Sequence, residues 1–260
     1  MPAKIPAATR TIALLSNLAK AAAPVTAVQL ARQINAPRSS TYQLLQVLET
    51  EGFVIHYPEN SRWGLGLAAF ELGTAYLKHD PIERLARPIL HRVVLELDRL
   101  GLYSTAQVGI LDGAELLYLL KENPRYSAPV VTDVGVRLPA HLTASGRSML
   151  ALLSQKQLRA LYPLGQPISM RTAEGPSNTK ELQSLLNVEA AQGYSEEAGH
   201  VQAGLTTIAA AATNHLHLPV AAFAVTFRTE DANEIRTKNL ANLVITSAAE
   251  LSKRLGASQR

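Results

Sequence analysis

Cysteine is absent from all 260 residues. Disulfides, thiolate zinc sites and a cysteine nucleophile are thereby excluded. Long apolar runs are missing as well: none approaches the roughly 18 to 20 residues that a membrane-spanning helix needs. The N-terminal "MPAKIPAATRTIALL" has neither a sustained hydrophobic segment nor a small-residue cleavage site, so no secretory signal is read there. An excess of one charge is also lacking. The 25 Lys and Arg against 21 Asp and Glu give a net charge of +4, which permits a nucleic-acid partner without demanding one. From these absences we expect a cytoplasmic chain with no membrane partner. What is present is a 47% apolar fraction, enough for a real core, in a chain long enough for one large domain or two ordinary ones.

The helical spacing of Ile12, Leu15, Leu18 and Ala19 predicts a helix over 9–22, stopped by Pro24. Thr26 to Gln29 fits a capping box, with a hydroxyl at the N-cap and an amide three residues later. Val28, Ala31 and Ile34 give the short helix behind it an apolar stripe. Asn35-Ala36-Pro37 is a tight break, since proline cannot continue the preceding ladder but suits a helix start. A third helix is predicted over 38–51, ending at Gly52. Two helices across a three-residue break, the second with a polar leading edge, make a helix-turn-helix pattern. The β-formers from Phe53 to Tyr57, the turn "PENS" and Arg62-Trp63-Gly64 then supply a hairpin. Helix-turn-helix plus hairpin is a winged helix.

"LAAFELGTAYLK" (67–78) is helical, "HDP" (79–81) breaks it, and a further helix over 82–100 ends at Gly101. Beyond this the chain alternates strands and helices. Asp112-Gly113 centres a strong hairpin signal. Helices are predicted over 144–153, 179–191 and 232–255, and "TTIAAAATNHLHLPVAAFAVTFR" reads as a second hairpin. The expected fold class is α+β, with helices packed on an antiparallel sheet. The expected division is a winged helix-turn-helix over 1–66, a linker helix over 67–81 and a second domain over 82–260.

With these elements placed, the sequence resembles the IclR family of bacterial transcriptional regulators. The resemblance is carried by "TAVQLARQINAPRSSTYQLLQVLETEGFV" with "RWGLG", by "VGVRLPAHLTASGRSMLA" and by "GYSEEAGHVQAGLTTIAAAATN". It implies a GAF-like C-terminal domain that binds a small organic acid effector. It also implies promoter or operator DNA as partner, and assembly as a homodimer or dimer of dimers. Carried over residue by residue, the effector site would comprise Ala144, Ser145, Glu197, Thr207, Ala224 and Thr226. The chain departs from the family at Gln43, where a basic residue is usual, and at Glu197, His200 and Thr207.

A helix entering a major groove needs side chains short enough to approach and polar enough to bond. Arg38, Ser39, Ser40 and Thr41 fill the leading turn, and Gln43 and Gln46 the expected outer face, where Gln can pair with adenine. Ser39 suits a helix cap equally well. Leu44, Leu45 and Leu48 are assigned to the core, and Arg62 on the wing to a phosphate. In "LTASG" the exposed N–H groups of a helix start suit a carboxylate. His215 and His217 are expected to share a strand face, but two histidines without a third ligand make no metal site. No metal and no cofactor are expected. Two other classes remain: a hydrolase built on Ser145, Glu197 and His200, and a protein-interaction module whose winged helix has lost DNA binding. "TASGR" is not a nucleophile elbow and a hydrolase leaves the winged helix unexplained, so the chain is not read as an enzyme. Phe70, Leu72, Ala75 and Tyr76 offer a dimer surface.

Overall fold

Pro6 opens α1 (Pro6–Lys20), earlier than the apolar spacing predicts, because a proline at the first turn leaves no N–H unpaired. The computed structural model describes residues 5–79, 81–127, 130 and 132–257. After β1 (Val25–Thr26), the expected capping box starts α2 (Ala27–Gln33): the Thr26 hydroxyl accepts from the Gln29 N–H, and the Gln29 side chain accepts from the Thr26 N–H. Pro37 precedes α3 (Arg38–Thr50), and Gly52, at φ 73°, turns the chain out of it.

The wing is β2 (Val54–Tyr57) paired with β3 (Arg62–Leu65). The two residues of β1 also pair with β3, giving the order β1-β3-β2. Gly66 packs against backbone, since a Cβ there would lie 2.3 Å from the Gly52 carbonyl oxygen. Leu14, Leu30, Leu45, Val54 and Trp63 make the core of this unit, each aliphatic side chain contributing about 1.5–3 kcal/mol by burial. α4 (Leu67–His79) follows. Asp80, in the expected break, and the side chains of Ala75 and Tyr76 lie outside the described residues.

A second compact unit lies beyond residue 80. It contains α5 (Pro81–Leu100), β4 (Ser104–Asp112), β5 (Glu115–Glu122), β6 (Arg137–Pro139), α6 (Ala144–Leu150), α7 (Gln155–Leu161), α8 (Thr179–Gln192), β7 (Ser195–Ala198), β8 (Leu205–Thr213), β9 (Pro219–Arg228) and α9 (Glu234–Arg254). Among the described residues the strands form one antiparallel sheet, ordered β6-β5-β4-β9-β8-β7.

Side chains alternate across a strand. Ala221, Phe223, Val225 and Phe227 of β9 therefore join Leu90 and Leu97 of α5 and Val244 and Leu251 of α9 in the main core. Ala222, Ala224 and Thr226 point to the other face, which α6 covers. The α6 helix is shorter than predicted, because Ser154 starts a new capping box and with it α7, a helix not foreseen. His215 and His217 are exposed in the turn between β8 and β9 rather than on a strand, and the Asn214 side chain accepts two N–H groups of that turn.

Candidate functional site

In the first unit, Arg38, Ser39, Gln43, Gln46 and Arg62 are all exposed and Ser40 is partly so. Ser39 is no cap, since α3 begins after Pro37 without a side-chain cap bond. Thr41 is a correction. It is 0% exposed, in phase with Leu45 and Leu48, and its hydroxyl donates to the Pro37 carbonyl at 3.0 Å. It cannot meet DNA. The Arg62 guanidinium donates to the Pro24 carbonyl at 2.8 Å, fastening the wing to the turn before β1. Leu45 and Leu48 are buried as expected, and Leu44 partly.

In the second unit, register builds the site. Thr105, Thr226, Thr207 and Glu197 stand opposite one another across β4, β9, β8 and β7, forming one polar rung. Gln107, Ala224, Ala209 and Ser195 form the next rung on the same face. Ala144 of α6 packs on Ala209 and Ala224. The helix thus sits close over the alanines and leaves a narrow cavity beside the threonines. Ala144, Glu197, Thr207 and Thr226 line it, together with Gln107, Tyr118, Thr132 and Thr143. Ser145 and Ala224 do not. Ser145 is buried on α6 next to Ala144, and Ala224 packs with Ala144 and Ala209, so both adjoin the lining residues rather than belong to them.

The chemistry of this cavity is neutral or acidic, for no Lys, Arg or His is among its described lining residues. Glu197 is 3% exposed, and one of its oxygens accepts the Val201 N–H at 3.1 Å. Burial pushes its carboxyl above the usual range. The Val201 N–H, the Thr207 hydroxyl and Arg147 pull less strongly the other way. Burial, and then Glu197, raise the Tyr118 phenol too. Thr207 and Thr226 share a hydrogen bond of 2.9 Å, and the Gln107 amide donates to Thr132. The expected carboxylate seat at the start of α6 is diminished: the helix has seven residues, and Thr143 already accepts the Gly146 N–H at 3.0 Å.

Behind the cavity lies a residue the sequence reading missed. Arg147 is 0% exposed. Its Nε donates to both Glu189 oxygens, at 2.9 and 3.1 Å. Nη1 donates to the His141 carbonyl at 3.3 Å and to His200 Nδ1 at 3.1 Å, and Nη2 to the Glu196 carbonyl. One side chain thus ties α6 to α8, to β7 and to the loop at His200. Burial, then Arg147, lower His200 to about 4, so its ring is neutral and accepts through Nδ1. A hydrolase finds no support here. The buried Ser145 hydroxyl has no hydrogen-bond partner among the described residues, whereas a nucleophile needs a base within reach.

No group of three or more metal-binding side chains and no helix long and apolar enough to cross a membrane occurs among the described residues.

Two family models match the chain. The IclR helix-turn-helix domain covers residues 7–56, and the bacterial transcriptional regulator IclR C-terminal domain covers 74–253. The HTH-type transcriptional repressor AllR of Salmonella typhi is 27% identical over 250 residues, covering 95% of this chain and 89% of that protein. An IclR-type regulator from Alicyclobacillus acidocaldarius, of known crystal structure, superposes with a TM-score of 0.85 at 21% identity, covering 98% of this chain and all of that one (100%). An IclR homologue from Microbacterium hydrocarbonoxydans, crystallised in complex with 4-hydroxybenzoate, does so with a TM-score of 0.79 at 20% identity, covering 97% of this chain and 100% of that one. With both domains matched in order, the chain belongs to the IclR family: it is a ligand-responsive, DNA-binding transcriptional regulator and not an enzyme.

Proposed function

We propose that the cavity between α6 and the polar rung holds the effector, and that the effector is a monocarboxylic acid carrying a hydroxyl or carbonyl at its far end. The carrying observation is Glu197, a buried carboxylate on a cavity wall without a cation. A second carboxylate beside it would be repelled in a low-dielectric site. The polar end of the ligand therefore faces Glu197, Thr207 and Thr226, and its carboxylate meets the neutral donors at Gln107 and Thr132. Support comes from the 4-hydroxybenzoate complex of the Microbacterium homologue, a molecule of this class on the same fold.

In this reading residues 1–66 bind operator DNA through Arg38, Ser39, Ser40, Gln43, Gln46 and Arg62, 67–81 link, and 82–260 sense the effector. The protein acts in the cytoplasm as a homodimer or dimer of dimers. A single winged helix offers one reading element, and useful specificity asks for two half-sites. Exposed Phe70 and Leu72 on α4 suit that contact. Regulation requires that the effector bind two conformations unequally.

A thermal-shift screen of hydroxy, keto and plain monocarboxylic acids tests the ligand. A binder at 100 times its Kd adds about 2.7 kcal/mol of stability, and Glu197→Gln should change the ranking of the acids. Stabilisation by dicarboxylates alone would refute this reading. A monomer by light scattering, with tight operator binding retained, would refute the assembly.

A further inference from the structure

The outer face of α3 is chemically sparse for a DNA-reading helix. After Arg38 the helix has no cation, and its first acid is Glu49, in the last turn. Thr41, Leu45 and Leu48 are buried. At about 100° per residue, the side opposite them carries Ser39, Gln43, Gln46 and Thr50, flanked by Tyr42 and Val47. The Thr50 hydroxyl is turned back onto the Gln46 carbonyl at 2.9 Å. What remains to read bases beyond the first turn is two primary amides, a tyrosine 44% exposed and a valine 60% exposed. Val47 has no evident folding reason to be there, because a β-branched residue on a solvent-facing helix position is a poorer helix former than Ala, Lys or Gln.

A guanine in the major groove is read by Arg or Lys bidentate to O6 and N7, and only Arg38, at the very start of α3, can do this. An A·T pair presents a different set. Adenine offers N7 and N6 to an amide, and its partner thymine offers the 5-methyl group to an apolar side chain. The amides and the valine of α3 match the two halves of the same base pair.

We propose that α3 reads A·T pairs at the centre of each half-site, with Gln43 and Gln46 pairing to adenine and Val47 packed against a thymine methyl as a specificity-determining residue. The proposal rests on α3 being the helix that enters the groove.

Selection of a random duplex pool on the full-length protein supplies the operator. Each of its thymines is then replaced singly by deoxyuridine, which removes the methyl and nothing else. One replacement per half-site should weaken wild-type binding about fourfold, the worth of one buried carbon. Val47→Ala should weaken binding to the thymine operator similarly and lose no further affinity with deoxyuridine at that position. Gln43→Ala should lower the preference for A·T over G·C at its pair by about 5- to 150-fold, that is about 1–3 kcal/mol. Deoxyuridine without effect at every position, an equal deoxyuridine penalty in Val47→Ala, or G·C pairs selected at the centre of the half-site would overturn the proposal. If α3 is not the reading helix at all, Ser39→Ala, Gln43→Ala and Gln46→Ala will all leave affinity and selected sequence unchanged, and the groove assignment falls with it.

Discussion

Replacing Arg147 by methionine tests how the cavity wall is held. The side chain is wholly buried and its main partner, Glu189, is 3% exposed. A surface pair such as Arg228–Glu230 is worth at most about 1 kcal/mol. Removing one partner of a buried pair is different, because the other charge is left without a counter-ion in low dielectric, and the expected loss is about 3–5 kcal/mol. Arg147→Met with Glu189→Leu should recover most of it, since a buried pair exchanged for apolar side chains is often neutral or better. The chain's one tryptophan, Trp63, lies in the first unit. Urea unfolding of the second unit must therefore be followed by circular dichroism, with Trp fluorescence as the control that should not move.

The pH dependence has a definite sign. Burial already holds the Glu189 carboxyl above the usual range, and without Arg147 it rises further. The folded protein then binds a proton that the unfolded chain releases, so the deficit of Arg147→Met should shrink as pH falls through that raised value. A single-variant loss below about 1 kcal/mol, or a double variant no more stable than Arg147→Met, would refute the reasoning.

Three further outcomes are expected. Gly146→Ala would place a Cβ 2.2 Å from the Ala140 carbonyl oxygen, so it should cost about 1–3 kcal/mol as an overpacked core does, read in the same unfolding transition. His200 is held at about 4 by burial and Arg147. The unfolded chain therefore takes up a proton first as pH falls, stability should be lost between the ordinary histidine value and about 4, and His200→Gln should flatten thermal denaturation across that window. Arg38→Ala should make the slope of log affinity against log salt shallower by roughly 0.9 if Arg38 meets one phosphate. An unchanged slope in titrations over a salt series would remove Arg38 from the backbone contacts.

The first unit was legible because its signals are local. The Thr26–Gln29 box, Pro37 and the "PENS" turn each act within a few residues, and each lies where it was read. β1 was not legible, since two residues become a strand only by meeting Trp63 and Arg62. Thr41 was misread although the information was there: its phase with Leu45 and Leu48 outranks its polarity. The Ser154–Gln157 box that starts α7 was equally available and was passed over. In the second unit the resemblance pointed to Glu197, Thr207 and Thr226. Gln107 and Tyr118 come to the same cavity from β4 and β5 only through sheet register. Nothing near Arg147 in the sequence announces that its acid is Glu189, 42 residues away.

Ala224 shows how a residue carried over by resemblance can stand beside a cavity without lining it. On β9 it stands between Ala222 and Thr226 on the sheet face that α6 covers. Its side chain meets Ala144 and Ala209 rather than the cavity. A methyl group there lets the helix approach, and interiors packed near crystal density have no slack to take a larger one without movement. The three alanines therefore set the height of α6 above the sheet, and with it the depth of the cavity beside the threonine rung. In the proposed site, hydrogen bonding to the effector would fall to Glu197, Thr207 and Thr226, one rung away. In the proposed effector site, selectivity for ligand size and selectivity for ligand polarity would thus reside in adjacent rungs of the same sheet, each open to substitutions that leave the other in place.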